Sequence, residues 1–477
     1  MQPIIVWFRQ DLRLKDNPAL YQASKTGAPL CLVFIDDHAE HDMPIGNYQK
    51  NWLHHSLLSL SKDLKKDGHT LQIFQGNSKK ILNNLVEKTK AQGIFWNRCY
   101  EPKLIQRDMD LKKTFKDQGL DVQTFSSYLL FEPWTVLNNQ KEYFKVFTPF
   151  WKNCSKILNV EKPYPKPHFS SFHGHLDSLK IDELNLLKKP YLDLDKYWKI
   201  GEENAQLRLA EFLKSGLLLY STGRDFPAID ATTRLSPHIH FGEISPKEIV
   251  YATEEYVSKY GDKELEIQKD KFFSELGWRE FSYNLLYHFP KLPKEPFKPQ
   301  YSHFQWKKNE KHLKAWQDGM TGFPIIDAGM RQLKETGWMH NRIRMVVASF
   351  LIKNCMIHWH EGEDWFWNHL LDADLANNSA SWQWVFGSGA DAAPYFRVFN
   401  PILQSEKFDP EGLYIKKYIP ELKDLEIKYL HDPSKAPADV LRKAGVTLGI
   451  NYPKAICDLT ETRDEVLVAY KHVQEFK

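Results

Sequence analysis

An α/β segment followed by an all-α segment is what this chain of 477 residues predicts. Three observations carry that reading. Short apolar runs alternate with amphipathic stretches over residues 1–131. A tract broken by proline, serine and glycine follows over 132–195. Everything from residue 196 onward shows helical spacing without convincing strand alternation.

Taken in order, residues 4–8, 30–35, 71–74, 94–96 and 122–125 read as buried strands, and 52–64 and 79–90 as helices between them. Such alternation implies a parallel sheet with right-handed crossovers, which binds ligands outside the carboxyl ends of its strands. Neither GxGxxG nor GxxxxGK[ST] is present, so ordinary dinucleotide or P-loop chemistry is not signalled there. In 132–195, Pro163, Pro165, Pro167 and the stretch 170–174 predict a long surface linker. Helical periodicity then marks 202–215, 246–259, 265–286, 322–336, 341–356, 364–375 and 463–476. Ser245-Pro246 reads as an N-cap with proline at the first helical position.

Composition narrows the function classes. A charged fraction of 26% and an aromatic fraction of 14% exclude a disordered chain. No run of 18 apolar residues predicts a membrane span, and the N-terminal apolar run stops at Arg9, too short for a secretory signal. Cys31, Cys99, Cys154, Cys355 and Cys457 are scattered and form no CxxC pair, which argues against a disulfide framework or a zinc site and fits a reducing, cytoplasmic setting. A net charge of +3 predicts no nucleic-acid partner by itself; that requires a local basic patch.

The chemistry gathers in the helical part. Nine of the fifteen tryptophans lie between residues 278 and 384, under a quarter of the chain. A single indole is ordinary core packing; a cluster can also stack on flat ligands or pass electrons. Trp338-Met339-His340-Asn341-Arg342-Ile343-Arg344 sets two arginines and an amide in an apolar stretch, and residues 372–378 add Asp372, Asp374, Asn377 and Asn378 just before Trp382-Gln383-Trp384. Buried charges need partners, so Arg344 with Asp372 or Asp374 is the natural pair. The mix suits either a structural ion-pair network or the surroundings of a large polar heteroaromatic ligand. Thr232-Thr233-Arg234-Leu235-Ser236-Pro237 reads as a phosphate cradle or as a loop capping a helix.

Further motifs stand in order along the chain: Val6-Trp7-Phe8-Arg9-Gln10-Asp11-Leu12-Arg13 with Asp16-Asn17-Pro18, then Arg224-Asp225-Phe226-Pro227, Trp278-Arg279-Glu280-Phe281, Thr321-Gly322-Phe323-Pro324, Asp391-Ala392-Ala393-Pro394-Tyr395-Phe396-Arg397 and Phe399-Asn400-Pro401. Together they resemble the cryptochrome/photolyase family over essentially the whole length, most closely its bacterial cyclobutane pyrimidine dimer photolyases. The resemblance implies a Rossmann-like α/β antenna-binding domain over 1–131, a linker over 132–195, and a helical domain over 196–477 that binds FAD and DNA.

Carried onto matching positions, the resemblance implies that Tyr220 and Thr232, Thr233, Arg234, Leu235 and Ser236 hold the flavin diphosphate. Arg344, Asp372, Ala373 and Asp374 bracket the isoalloxazine and ribose, with Arg279 and Asn341 also on the cofactor. Asn378 faces flavin N5; an uncharged amide there favours the reduced anionic flavin and repair rather than signalling. Trp382, Trp359 and Trp306 correspond to an electron relay. Glu275, Trp278, Arg279, Asn341, Arg342, Met345 and Trp384 correspond to a pocket for a flipped-out dimer, with Arg224 and Gln404 on the DNA backbone. Glu275 is expected to be protonated through desolvation, to donate to a pyrimidine carbonyl.

The implied activity is light-driven splitting of cyclobutane pyrimidine dimers by a monomer without an obligate protein partner or a metal. An antenna is expected as well, methenyltetrahydrofolate in preference to a deazaflavin, near Asp36-Asp37, Gly46-Asn47, residues 52–55 and 97–101. The alternatives are a cryptochrome-type photoreceptor and (6-4) photoproduct repair. Asn377-Asn378-Ser379-Ala380-Ser381 departs from the Asn-Asn-Gly-Gly form of bacterial enzymes, and His238-Ile239-His240-Phe241-Gly242-Glu243 resembles the plant-cryptochrome side. Signalling relatives commonly append a disordered tail, whereas the last segment here reads as helix.

Overall fold

The computed structural model describes residues 1–187, 192–392 and 396–476. Five strands, β1 (Ile4–Phe8), β2 (Leu30–Asp36), β3 (Leu71–Gln75), β4 (Gly93–Asn97) and β5 (Asp121–Phe125), form a parallel sheet in the order β3-β2-β1-β4-β5. The apolar runs of β1 and β4 are buried on both faces, as a sheet covered on two sides requires. Helices Asn47–Lys66 and Ser78–Thr89 lie where periodicity predicts them. Two more, Pro18–Lys25 and Pro102–Asp117, begin with proline at the first helical position, and Asn17 caps the former by accepting from Leu20 N–H at 3.1 Å.

The strand order reverses between β1 and β4, which opens a crevice at their carboxyl ends. Segment 238–243 docks there: Leu12 N–H donates to Phe241 O at 3.1 Å and the Arg13 guanidinium to Gly242 O at 2.9 Å. Gly242 has φ +70°, and a Cβ on it would lie 2.1 Å from Gln10 O, a backbone atom with no room to move. Gly242→Ala is therefore expected to destabilise the protein by more than about 1 kcal/mol, read as a lowered urea midpoint.

The segment predicted as a bare linker holds a helix, Phe147–Ile157. Phe147, Phe150 and Cys154 recur at helical spacing and are buried, while Pro149 falls in the first turn, where its missing N–H costs nothing. Phe147 stacks on Trp278 of helix Lys263–His288 at 3.8 Å between ring centroids. Proline dominated the sequence signal and concealed this apolar face.

The described chain divides into two compact units. The first comprises Met1–Leu218, Thr232–Pro290 and Leu371–Ala376; the second comprises Leu219–Ala231, Lys291–Leu370 and Asn377–Lys477. In the second, the helix expected over 341–356 is Asn341–Ser349 followed by a wider turn, Phe350–Asn354. The helix expected over 364–375 is replaced by two, Trp359–His369 and Leu375–Phe386. The first of these stops as Leu370 turns extended, ahead of an Asp-rich stretch whose side chains compete with helical hydrogen bonding. Among the described residues no helix is long and apolar enough to cross a membrane, and no group of residues could hold a metal ion.

Candidate functional site

The first unit contains Thr232 to Ser236, Glu275, Trp278, Arg279, Asp372, Ala373 and Asp374. The carbonyls of Thr232 and Thr233 each accept from the Arg208 guanidinium at 2.9 Å. Thr233 Oγ1 accepts from Leu235 N–H at 3.2 Å, and Arg234 takes φ +51°. This clamp holds the hydroxyl-rich turn in place ahead of the short helix Ser236–His240.

Asp374 is 7% exposed and accepts from two buried phenols, Tyr283 and, at 3.3 Å, Tyr128. Burial and the Asp374 carboxylate together keep both phenols protonated, so they act as fixed donors. The Arg279 guanidinium stacks on Tyr128 and Tyr283, at 4.4 and 5.3 Å, and donates to Tyr128 O at 2.9 Å. Ala373 contributes its carbonyl, which accepts from Gln49 at 2.5 Å. Glu275, one turn from Lys271, lies 3.7 Å from that ammonium and keeps 25% of its side-chain surface exposed. Trp278 is half-buried against Phe147.

The sheet's carboxyl ends carry the residues considered for an antenna. Asn97 is consumed internally, donating to Asp11 and Asn17 and accepting from Ala19 N–H. Arg98 pairs with Glu132, and Trp52 is buried with its indole N–H on Glu243 at 3.2 Å. Glu101 differs: burial pushes its carboxyl up to about 8, so it is mainly a neutral acid at pH 7. His41 pairs with Asp37 at 3.2 Å, and His38 with Asp36 at 2.6 Å.

The second unit contains Tyr220, Arg224, Trp306, Asn341, Arg342, Arg344, Met345, Trp359, Asn378, Trp382, Trp384 and Gln404. Arg342 donates to Asp225 at 2.9 Å and lies 4.3 Å over the Phe408 ring, while Phe226 packs edge-on against the same ring. Residues 224–226, the start of helix Asn341–Ser349 and helix Pro401–Phe408, which carries Gln404, are thereby tied together. Arg224 lies 5.3 Å over Tyr220. The Arg344 guanidinium donates to Met339 O at 2.7 Å. Asn341 is exposed at the helix start, and His340 caps that helix through Arg342 N–H. Trp384 is half-buried and lines a pocket with Tyr301, Lys353 and Phe396.

The three tryptophans expected to form a relay lie around helix Trp359–His369. Trp359, Gly362 and Phe366 share one face of it. A Cβ on Gly362 would lie 2.1 Å from Trp382 Cη2, so the missing side chain is what lets that indole rest on the helix. Trp382 meets Phe366 edge-on at 5.0 Å and Trp316 at 6.4 Å. Trp306 is half-buried against Phe304, Phe386 and His358, at 4.5, 4.8 and 4.8 Å.

Asn378 donates from Nδ2 to Glu363 O at 3.1 Å, which orients its amide oxygen as an acceptor away from that carbonyl. Glu363 is itself buried. Desolvation pushes its carboxyl from the ordinary 4.5 up to about 8, against the opposing bond donated by Ser379 at 2.7 Å. Because the folded value exceeds the unfolded one, the stability linked to this proton is present at low pH and is lost as pH rises from about 4.5 through about 8. Glu363→Gln is expected to flatten that decline, measured as urea midpoints across this range.

Sequence reading did not single out Gln49, Tyr128, Arg208, Tyr283, Gly362 or Glu363. Their function lies in orienting residues far away in sequence; Tyr128 and Tyr283 reach Asp374 across 246 and 91 residues. No local pattern marks them.

Residues 4–168 match the DNA photolyase family, and residues 272–472 match the FAD binding domain of DNA photolyase. A deoxyribodipyrimidine photo-lyase of Agrobacterium fabrum is 44% identical over 488 residues, covering 99% of this chain and 98% of that protein. Cryptochrome-1 of Arabidopsis thaliana is 35% identical, covering 96% of this chain and 69% of that protein. A crystal structure of a bacterial class III photolyase from Agrobacterium tumefaciens superimposes with a TM-score of 0.95 at 44% identity, over 100% of this chain and 98% of that one. With a parallel five-stranded sheet, a helical flavin-binding half and likeness over its full length, the chain belongs to the DNA photolyase/cryptochrome family.

Proposed function

We propose that this protein splits cyclobutane pyrimidine dimers in DNA under blue light, using reduced FAD. The observation that carries the reading is the 44% identity to a deoxyribodipyrimidine photo-lyase across both chains. The residues present fit a flavin dinucleotide. Among the described residues, Nη2 of Arg279 is buried without a protein partner, while Nη1 is held by Tyr128 O. The clamped turn at Thr232–Ser236 offers hydroxyls and an arginine, the donor set a diphosphate needs.

When bound and excited, reduced FAD supplies one electron to the dimer and receives it back after the ring opens. The chain's own residues do the rest. Tyr220 with Thr232, Thr233, Arg234, Leu235 and Ser236 would hold the diphosphate. Arg279, Asn341, Arg344, Asp372, Ala373 and Asp374 would fix the rings and ribose, Asp374 held in turn by Tyr128 and Tyr283. The oxygen of Asn378 would accept from N5–H without supplying a proton, which favours the reduced state.

Trp278 and Trp384 would wedge against the extruded lesion, with Asn341, Arg342 and Met345 beside them. Arg224 and Gln404 would touch the DNA backbone, setting position and salt dependence rather than sequence choice. Glu275 would donate to a pyrimidine carbonyl. It is a quarter exposed beside Lys271, within reach of a lesion seated there. Glu275→Gln is expected to bind dimer DNA normally and to split fewer dimers per absorbed photon; equal quantum yields would remove this role.

For the antenna we propose methenyltetrahydrofolate, with the neutral Glu101 carboxyl as its polar anchor. An absorption spectrum of the purified protein, taken before and after Glu101→Leu, tests that placement.

The test of the main reading is to illuminate ultraviolet-damaged DNA with the protein and count dimers and (6-4) products separately, against a dark control. Light-dependent loss of dimers alone is the expected result. Loss of (6-4) products alone would reassign the lesion. Loss of neither would favour the receptor reading, for which the 35% identity to Cryptochrome-1 speaks.

A further inference from the structure

The imidazole of His358 stands in contact with two of the tryptophans expected to form the relay, 4.8 Å from Trp306 and 5.9 Å from Trp359, where it is nearly parallel to the indole at 22°. His360 packs on the same side of that indole, 3.8 Å from Trp359 and 4.7 Å from His358. Two neighbouring imidazoles thus pack together against Trp359, from a His-Trp-His sequence at the start of its helix.

The hydrogen bonding fixes the state of His358. Its Nδ1 accepts from His360 N–H at 3.2 Å and caps the helix. An accepting nitrogen carries no proton, so the ring is the neutral Nε2–H form. Burial and neighbouring His360 point the same way, lowering the imidazole to about 4.

We propose that His358 is a positioning residue of the relay: its uncharged ring fills the gap between Trp359 and Trp306 and lets a positive charge pass outward between them. This rests on the flavoprotein reading above. With oxidised FAD bound and excited, Trp382 would give it one electron, Trp359 would give one to Trp382, and Trp306 would give one to Trp359. An external thiol such as dithiothreitol returns one electron to Trp306, so each photon moves one electron from thiol to flavin. Each indole is briefly cationic, and a permanent charge at 358 would oppose the last transfer. The helix cap thereby has a second use, because the bond that starts the helix also denies His358 its second proton.

The test is flavin photoreduction in the holoprotein with dithiothreitol, followed by absorbance, together with transient absorption of the tryptophan radicals. His358→Phe keeps a neutral ring and is expected to stay within about threefold of the unmodified protein. His358→Arg places a fixed charge at a position nearer Trp306 (4.8 Å) than Trp359 (5.9 Å), and is expected to slow photoreduction and outward radical transfer at least about tenfold. Equal rates for His358→Arg and the unmodified protein would overturn the proposal, as would a His358→Phe protein as slow as His358→Arg. Nitrogen-15 NMR of the unmodified protein in the dark gives an independent readout: an unprotonated Nδ1 at pH 7 supports the proposal, and an imidazolium contradicts it. Dimer splitting by unmodified protein reduced beforehand with dithionite is scored separately. Its absence counts against the repair reading and not against His358.

Discussion

Gly362→Val is expected to unfold the protein more readily than any other single change on helix Trp359–His369 and to abolish flavin photoreduction. The first added carbon would meet Trp382 Cη2 at 2.1 Å, with Cζ3 and Cζ2 at 2.6 and 2.7 Å. These are atoms of one rigid, buried indole, 2% exposed and hemmed in by Phe366 and Trp316. The ring cannot turn away without displacing those neighbours, and overpacking of this kind costs about 1–3 kcal/mol, with β-branching in a helix adding to it. Trp382 is also displaced from its place on this helix, and under the proposed relay the electron supply then fails even in the folded fraction. Urea midpoints read the first effect and illumination with dithiothreitol reads the second. A Gly362→Val protein with unmodified stability would mean that the indole does not rest on this helix.

Asp374→Ala is the second large effect. Tyr283 and Tyr128 are 1% and 3% exposed and both donate to this carboxylate. Removing it leaves these two buried hydroxyls with only their weak bond to each other at 3.4 Å, a loss of about 1–3 kcal/mol. Flavin retention should fall with stability, because the same carboxylate is assigned to the cofactor. Asp374→Asn keeps one acceptor oxygen and should recover part of the stability but less of the flavin affinity. Denaturation curves and flavin content after gel filtration measure the two. If alanine is tolerated on both counts, the tyrosine pair does not serve to hold Asp374.

Which features were legible in the sequence follows from how local their causes are. β1, β2 and β4 were readable because a strand buried on both faces must be a continuous apolar run. The break between Trp359–His369 and Leu375–Phe386 was not, since Trp365, Phe366, Leu370 and Leu371 keep a helical rhythm through it while Asp372 and Asp374 take the backbone elsewhere. Helix Phe147–Ile157 was hidden by prolines on either side. The candidate flavin and lesion residues were found through ordered motifs, and the structure adds what motifs do not contain. Arg208 fixes the carbonyls of Thr232 and Thr233, Gln49 fixes Ala373, and Glu363 fixes Asn378. Each acts across the fold on another residue's orientation, which leaves no local trace. His358 and His360 did leave one, as histidines before and after Trp359 in sequence, but its meaning depends on ring distances.

A bound flavin whose light-driven electron opens the dimer is the centre of the proposed function. The direct measurement is to strip the flavin from the purified protein, restore it with FAD, reduce with dithionite, and count dimers split in a defined oligonucleotide under blue light at each stage. The expected result is splitting that disappears with the flavin, returns with FAD and is absent in the dark. Splitting that persists without flavin, or a folded protein that takes up no FAD, would contradict it.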